Sequence, residues 1–421
     1  MYCRYVIAAL AISYLSLTST AANALSREDA IQRALEENPE VIAAQKTWEA
    51  ARARVAQARA LADPELELEY EELTGITRFG DFGERAFGVT QQIESPLKWW
   101  RRSSAANQAA EAVRLGVFEM TRLDISARVK VAYDRVLFKL KRHEHIRDNL
   151  QLAEDFLHKA RLRLVAGDVS QLEVLRAEVE AGRAANRLTR AHNEIAIARA
   201  ELNTLMAQRS GAPLEIDGDL DFRPVKLELE SLQQAALQRR PDLLGAEWAR
   251  ESARSQQALA RTAFLPDVNI GLFRQTIQAA GGKDDFWRVG LALELPLWGA
   301  TRQRGQLAEA RASAQQAAAE QSALRNRVLL EVERAFMNAQ TTAEQVRLYQ
   351  ERIEREAERS FEVASRSYAE GKATYLELLE AQRTLTGVRE EYAEALFNHR
   401  TAVADLERAV GEESILERRE K

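Results

Sequence analysis

Residues 64–70, Pro-Glu-Leu-Glu-Leu-Glu-Tyr, alternate between acidic and apolar side chains. Because successive side chains of a β-strand point to opposite faces, this alternation predicts a strand with one apolar face and one polar face. Apolar residues alternate with polar or small ones in three other segments, so strands are predicted at 64–73, 86–95, 267–277 and 286–296. Each has about the ten-residue length of a membrane-spanning β-strand.

The landmarks around these strands occur twice along the chain. Four pairs lie 200 to 204 positions apart: Pro39 and Pro241, Pro64 and Pro266, Pro96 and Pro296, Gly167 and Gly371. Each of the two glycines is followed by Leu, Glu, Leu and Ala at the same four offsets. We therefore interpret the chain as one unit of roughly 200 residues that is present twice.

The repeat divides the 421-residue chain into segments. Arg4, the apolar stretch after it and Ala22-Asn23-Ala24 have the three parts of a secretory signal peptide. Each repeat is predicted to contain a helix, two strands and a long helical hairpin, at 97–208 in the first copy and 298–411 in the second. The predicted segments are a signal peptide at 1–24, repeat 1 at 25–208, a linker at 209–230, repeat 2 at 231–411 and a C-terminal tail at 412–421.

The tracts predicted as hairpins contain no proline and have helical periodicity. Between Leu307 and Tyr368, apolar or small residues recur roughly every 3.6 residues, the repeat of a straight α-helix. Gly167 and Gly371 are expected to break each tract into two antiparallel arms, since glycine commonly ends helices. The sequence therefore predicts a mainly α protein with long antiparallel helical hairpins and four strands.

Four strands cannot close a barrel alone, and an open sheet edge is not tolerated in hydrocarbon. The smallest closed membrane barrels have about eight strands, so at least two protomers are expected to share one barrel.

Several functional classes are disfavoured by composition. The net charge is −5 with Arg and Glu interleaved, which argues against nucleic acid as a partner. The only cysteine, Cys3, precedes the predicted cleavage site, so no disulfide or thiolate metal site is expected. His143 and His145 are two apart, whereas helical metal ligands are three or four apart. We predict no catalytic residues, no bound metal and no cofactor, and therefore that the chain is not an enzyme.

Two segments carry a family resemblance: Val-Thr-Gln-Gln-Ile-Glu-Ser-Pro-Leu at 89–97 and the hairpin-tip sequence at 166–177. They resemble the TolC-type outer-membrane efflux family, and within it the outer-membrane factors of heavy-metal exporters of the cobalt–zinc–cadmium RND type. The resemblance covers essentially the whole chain after residue 24. It implies a homotrimer in outer-membrane lipid, with a shared twelve-stranded β-barrel and a helical α-barrel in the periplasm. It also implies two partners, a periplasmic adaptor (membrane fusion protein) and an inner-membrane RND-type pump.

The resemblance also suggests a gate. Glu377 and Glu380, three apart on one helix face, match the family's acidic constriction, and Glu173 with Tyr368 match a tip pair that holds the entrance closed. In a narrow mouth such carboxylates would raise one another's pKa and attract cations. The family archetype has an arginine latch two residues after the tip glycine, where this chain has Ala373. We therefore expect either a weaker latch or Lys372 in place of the arginine. The alternative, solvated helix charges without a gating role, stays open.

The hairpin tips are the expected adaptor-docking surface, and ordinary glycine capping also operates there. The predicted docking residues are Val165, Gly167, Asp168, Ser170, Gly371, Lys372 and Thr374. Trp99 and Trp100 follow the second strand. That position suits an aromatic belt at the membrane interface, or packing at the junction between strand and helix.

Three functions are consistent with these features. The first is an outer-membrane exit duct of a tripartite exporter for heavy-metal cations, and the second is the same duct in drug efflux or type I protein secretion. The third belongs to another class, a soluble periplasmic helical-hairpin adaptor. The four amphipathic strands, present in both repeats, count against the adaptor.

Overall fold

The computed structural model describes residues 24–73, 75, 77, 79, 82–222, 228–279, 282–295 and 301–412. The predicted signal peptide lies outside these residues except for Ala24, as do Pro296 and the tail after Glu412.

The first half of the described chain alternates helices and strands in a fixed order. It comprises α1 (Arg27–Glu37), α2 (Pro39–Arg59), β1 (Glu65–Glu71), β2 (Glu84–Ile93), α3 (Pro96–Val113), a π-helical turn (Arg114–Glu119), α4 (Met120–Ala166) and α5 (Gln171–Leu205).

The second half has the same order. It comprises α6 (Leu229–Arg239), α7 (Pro241–Thr262), β3 (Asp267–Ala279), β4 (Gly282–Glu294), α8 (Arg302–Leu348), a π-helical turn (Tyr349–Ile353), α9 (Glu354–Ala369) and α10 (Tyr375–Val410). Both ends of α6 lie 202 positions after the ends of α1, the same interval that separates the prolines which follow them.

The short helices α1 and α6 were not predicted, and their origin is visible at the prolines. Pro39 begins α2, where its missing N–H costs nothing, and Asn38 ends α1. The Asn38 side chain accepts a hydrogen bond from the Glu40 N–H and donates one to the Leu205 carbonyl, both at 2.8 Å. One proline therefore ends one helix and starts the next.

Two further features differ from the expectation. The predicted strand at 286–296 begins four residues earlier, at Gly282, which pairs with Ala279 and has φ of +139°, a value that glycine adopts without strain. The helical tracts expected to keep a uniform 3.6-residue period each contain one π-helical turn, at 114–119 and 349–353. A π-helical turn inserts one residue into the helix and shifts the faces that follow.

The four strands form one antiparallel sheet in the order β1-β2-β3-β4. Strand β2 of the first repeat pairs with β3 of the second, from Glu84 opposite Ile277 to Ile93 opposite Val268. The register places the apolar positions that defined the predicted strands, such as Leu66, Val89, Leu272 and Val289, on one face. Large apolar side chains on that face are exposed: Leu66 at 68%, Leu68 at 59%, Trp287 at 63%, Val289 at 66% and Leu291 at 74%.

The helices pack side by side as two hairpins. Helix α4 lies against α5, and α9 against α10, while α10 also contacts α4 and α8. The α4–α10 contact includes a buried ion pair, with Lys130 Nζ 2.7 Å from Glu407 Oε2 and both side chains less than a tenth exposed. No helix in the described ranges combines the length and the apolar character needed to cross a bilayer.

We expect Lys130→Met to lower the free energy of unfolding by about 3–5 kcal/mol, because it leaves the buried Glu407 carboxylate without its main cation. Lys130→Met combined with Glu407→Leu should recover most of this loss. The control is Arg128→Met, which breaks an exposed 2.8 Å pair with Glu40 and should cost at most about 1 kcal/mol. Thermal unfolding followed by circular dichroism measures all three. Equal losses for Lys130→Met and Arg128→Met would contradict the prediction.

Candidate gate and docking surface at the hairpin tips

Both hairpins turn at a glycine in the left-handed region. Gly167 follows α4 with φ of +85°, and Gly371 follows α9 with φ of +70°. The Asp168 N–H donates to the Arg163 carbonyl, and the Lys372 N–H to the Ser367 carbonyl, so carbonyls of each last helical turn are satisfied. These bonds close Schellman-type turns that other residues would strain. The predicted break of each tract at its glycine therefore matches the structure.

An apolar cluster joins the tips of the two hairpins. Phe156, Val174, Tyr375, Leu378 and Leu379 are buried together, with Tyr368 packed at their edge. The residues come from α4 and α5 of the first repeat and from α9 and α10 of the second. The two tips are therefore one packed unit within a single protomer.

The predicted tip pair is in contact. The Tyr368 hydroxyl donates to Glu173 Oε1 at 2.6 Å, and the Arg163 guanidinium lies 5.1 Å from the centroid of the Tyr368 ring. Burial of the phenol, followed by the hydrogen bond to Glu173, raises the pKa of Tyr368 to about 12. The phenol is therefore protonated and able to donate this bond at any physiological pH.

A second cross-hairpin contact was missed by the sequence reasoning. Glu180 on α5 is 4% exposed and lies 2.5 Å from a guanidinium nitrogen of Arg383 on α10, with Arg187 3.2 Å away. Burial alone would raise the pKa of Glu180, but the neighbouring arginines outweigh it and lower the pKa. Glu180 and Arg383 are 203 positions apart, and only the packing of α5 near α10 brings them together.

Glu377 caps its own helix. Its carboxylate accepts hydrogen bonds from the Thr374 N–H at 2.7 Å and the Thr374 hydroxyl at 2.9 Å, forming a capping box at the start of α10. The Thr374 N–H lowers the pKa of Glu377, opposite in direction to the raised pKa expected from crowding. Glu380, one turn later, is exposed. The structure therefore gives Glu377 a capping role, and its gating role stays a prediction.

The predicted docking residues surround exposed apolar side chains. Val165 is 89% exposed, and Leu172 and Leu376, which occupy equivalent positions in the two repeats, are 55% and 54% exposed. Lys372 pairs with Glu370 of its own turn at 2.6 Å, which does not place it across the tip where a latch would act. Apolar side chains at a free helical end are typical of a surface that meets a partner.

Trp99 and Trp100 have different environments. The Trp99 indole N–H donates to the Arg59 carbonyl at 2.9 Å, which fastens α3 to the end of α2. Trp100 is 53% exposed and stacks with the Arg101 guanidinium at 4.7 Å. Trp99 thus fits the packing interpretation and Trp100 fits the interface interpretation.

The histidines do not form a metal centre of three or more ligands, and no other such group occurs among the described residues. His143 and His192 approach across the first hairpin with ring centroids 6.4 Å apart. Burial, followed by the charges of His192 and Arg147, lowers the pKa of His143.

We expect the Tyr368 phenol to ionise only near pH 12. A folded-state pKa above the usual value of about 10 means that the tip contact contributes fully below pH 10 and is lost as the pH rises through about 12. The difference in phenolate absorbance between the wild type and Tyr368→Phe measures this ionisation. Tyr368→Phe should also lower the free energy of unfolding by about 1–2 kcal/mol, because it removes a hydrogen bond to a carboxylate. Ionisation near pH 10 in the difference spectrum would contradict the assignment.

Comparison with known proteins finds a protein family whose model matches most of this chain. The family model described as "Outer membrane efflux protein" matches residues 30–208 and 232–412. The cobalt-zinc-cadmium resistance protein CzcC of Cupriavidus metallidurans is 26% identical over 93% of this chain and 91% of its own length. The alkaline protease secretion protein AprF of Pseudomonas aeruginosa is 24% identical over 94% of this chain and 86% of its own.

Solved structures have the same fold. The outer membrane protein VceC of Vibrio cholerae superposes with a TM-score of 0.74 at 20% identity, covering 92% of this chain and 96% of VceC. A structure of CusC, described in terms of folding and transmembrane channel formation, gives a TM-score of 0.76 at 20% identity and covers 92% of each chain. These likenesses confirm the predicted fold class.

The family match extends over both repeats and leaves out little of the chain between 30 and 412. It confirms the resemblance found in the sequence, together with the predicted outer-membrane localisation and the role in efflux. The chain belongs to the outer membrane efflux protein family.

Proposed function

We propose that this chain forms, as a homotrimer, the passive exit duct of a tripartite exporter for heavy-metal cations, with a periplasmic adaptor and an inner-membrane RND-type pump as partners. The observation that carries the proposal is the sheet, which has an exposed apolar face, a polar face and two outer edges. Similarity to CzcC over nearly its whole length supports the metal cargo.

The two edges support the trimer. Strands β1 and β4 are the outer strands of the sheet, so each has one edge that no other described residue of the same chain pairs with. An unpaired backbone polar group in hydrocarbon costs several kcal/mol, and β4 alone has 13 residues. Pairing of β4 with β1 of the next protomer removes both edges, and three protomers then close a barrel of twelve strands.

The polar face supports a cationic cargo. Seven carboxylates occupy strand positions on this face: Glu65, Glu67, Glu69, Glu71, Glu84, Asp284 and Glu294. An eighth, Asp267, is bound by Lys98 at 2.9 Å. Arg288 is the one basic residue among the strand positions of this face in the described part of the chain. Inside a barrel this face lines the bore, and an excess of carboxylates favours cations over anions.

The tip contacts support a gate at the opposite end. The Tyr368–Glu173 hydrogen bond and the Glu180–Arg383 ion pair both connect the first hairpin to the second within one protomer. In the duct these contacts hold the two hairpins together, and Glu377 and Glu380 carry negative charge at the mouth. The exposed apolar side chains at the tips provide the surface for the adaptor.

The cargo differs among relatives. AprF is named for alkaline protease secretion, and OpmQ of Pseudomonas aeruginosa, 24% identical over 74% of this chain, is named for pyoverdine export. Drug efflux or protein secretion through the same duct is therefore the alternative, and an experiment on cargo must distinguish it from metal export. The soluble-adaptor alternative loses its support, because both repeats match the outer membrane efflux family.

The gate is tested with variants that keep the helix cap. We expect Glu377→Gln combined with Glu380→Gln to lower the preference for cations over anions and to change single-channel conductance in planar bilayers, because two carboxylates per protomer are removed while the amide oxygen still caps α10. Glu178→Gln, which removes an exposed carboxylate of the other hairpin, is the control. If the double variant has the wild-type cation preference and single-channel conductance, Glu377 and Glu380 have no role in the gate.

The cargo is tested in the native host. We expect deletion of the gene to raise cellular zinc, cobalt or cadmium several-fold under metal stress, with recovery when the wild-type gene is restored. Elemental analysis of washed cells measures the metal, and growth inhibition by a panel of drugs and the secreted-protein profile serve as parallel readouts. Unchanged metal content together with loss of drug resistance or of a secreted protein would assign the duct to the alternative cargo.

A further inference from the structure

The polar face of the sheet contains one large aromatic ring that is almost fully covered. Phe273 on β3 is 8% exposed, whereas the adjacent Leu272 on the apolar face is 49% exposed. Phe273 lies opposite Gly88 on β2 and Arg288 on β4. Gly271, two positions earlier on the same face, lies opposite Gly290. The ring is therefore placed among three glycines and one arginine.

The glycines leave the space that the ring occupies. A Cβ at Gly271 would lie 2.4 Å from Phe273 Cε2 and 3.0 Å from Cζ. A Cβ at Gly88 would lie 2.1 Å from Phe273 Cδ1 and also 2.7 Å from the Leu272 carbonyl oxygen. Neither glycine has positive φ, so steric contact rather than φ excludes a side chain there. The contact is mainly with the ring at Gly271, and with both the ring and the Leu272 carbonyl at Gly88.

The third glycine is different. A Cβ at Gly290 would lie 3.7 Å from Phe273 Cε2, an ordinary van der Waals contact. Gly290 is the direct cross-strand partner of Gly271, at the same height on the same face. The two positions differ mainly in whether an added methyl group would collide with the ring.

Arg288 covers the exposed side of the ring. Its guanidinium carbon lies 4.6 Å from the ring centroid, and one of its nitrogens lies 3.9 Å from Glu69 Oε2 on β1. Phe273 is thus held between the backbone of two glycines and a guanidinium group that is itself held by a carboxylate. Such a cation–π contact favours the ring position that lies flat on the sheet.

We propose that Gly88, Gly271, Phe273 and Arg288 set the width of the exit by keeping the ring flat on the wall of the bore. This inference rests on the proposed function, in which the polar face lines a shared barrel. A side chain at Gly271 forces the ring at least on the order of an ångström away from the sheet to restore normal contact distances. In a homotrimer, three rings move toward the axis at one height.

The width of the exit is tested by measuring how fast reagents added outside the cell reach a thiol inside the bore. This measurement does not depend on the hairpin tips. The chain has one cysteine, Cys3, in the predicted signal peptide, so Asn269→Cys introduces a single thiol on the polar face, deeper than Phe273 as seen from the β3–β4 turn. Intact cells are treated with water-soluble maleimides of increasing size. Val268→Cys, on the apolar face, is expected not to react and reports the face assignment.

In the Asn269→Cys background, Gly271→Ala should slow the reaction of bulky maleimides several-fold and leave the smallest reagent unaffected. Gly290→Ala should react as the parent does. Phe273→Ala should react at least as fast as the parent with bulky reagents, and adding it to Gly271→Ala should abolish the slowing. Equal rates for Gly271→Ala and the parent with every reagent would overturn the proposal.

Two outcomes separate this inference from the proposed function and from misfolding. If the Asn269→Cys parent reacts with no reagent while the Val268→Cys variant does, the polar face does not line a bore and the proposed function itself fails. If Gly271→Ala does not reach the outer membrane, Gly271→Ala with Phe273→Ala is compared with the parent alone. If this double variant inserts normally and reacts with bulky reagents at least as fast as the parent, the added methyl group collides with the ring, as proposed. If the double variant also fails to insert, the proposal is overturned.

Discussion

The pairing of β2 with β3 is the interaction on which the rest of the architecture depends, because it is the place in the sheet where the two repeats meet. Ten residue pairs, from Glu84 opposite Ile277 to Ile93 opposite Val268, fix the register. A shift of one residue would turn one repeat's apolar side chains onto the other repeat's polar face. With this register, the sheet has one apolar and one carboxylate-rich face. The outer edges of β1 and β4 lie at opposite sides of the sheet, and in the proposed trimer they pair with further copies of the chain.

The helices extend from the sheet, and α4 contacts both the start of the first repeat and α10 of the second. Tyr133 donates to the Leu25 carbonyl at 2.8 Å, and Asp134 lies between Arg27 of α1 and Arg400 of α10 at 3.0 Å and 2.9 Å. Burial raises the pKa of Asp134, while the two arginines favour its charged form. Buried ion pairs of this kind contribute little net stability, but an unpaired charge is costly, so they disfavour any other alignment of α4 with α10.

The parts of this structure that follow from periodicity could be predicted from the sequence. Alternation with period two located the four strands, and glycine after a long helical tract located both tips. Contacts between distant residues could not be predicted, because no local pattern encodes them. Glu180 and Arg383 look like ordinary surface charges in the sequence, and the dependence of Gly271 on the Phe273 ring requires the register of the sheet. The contact between Glu173 and Tyr368 was anticipated only through the family resemblance.

The two repeats are alike where they build the wall and differ at its two ends. At the tip, Glu380 of the second repeat occupies the position of Arg176 in the first, so one hairpin of each pair places a carboxylate where the other places a cation. At the exit, the position equivalent to Phe273 is Glu71, and the position equivalent to Gly271 is Glu69. The covered ring is thus a feature of the second repeat alone, and the first repeat contributes the carboxylate beside Arg288. The two repeats therefore share their order of helices and strands, and they differ in charge at the tip and in both charge and side-chain volume at the sheet.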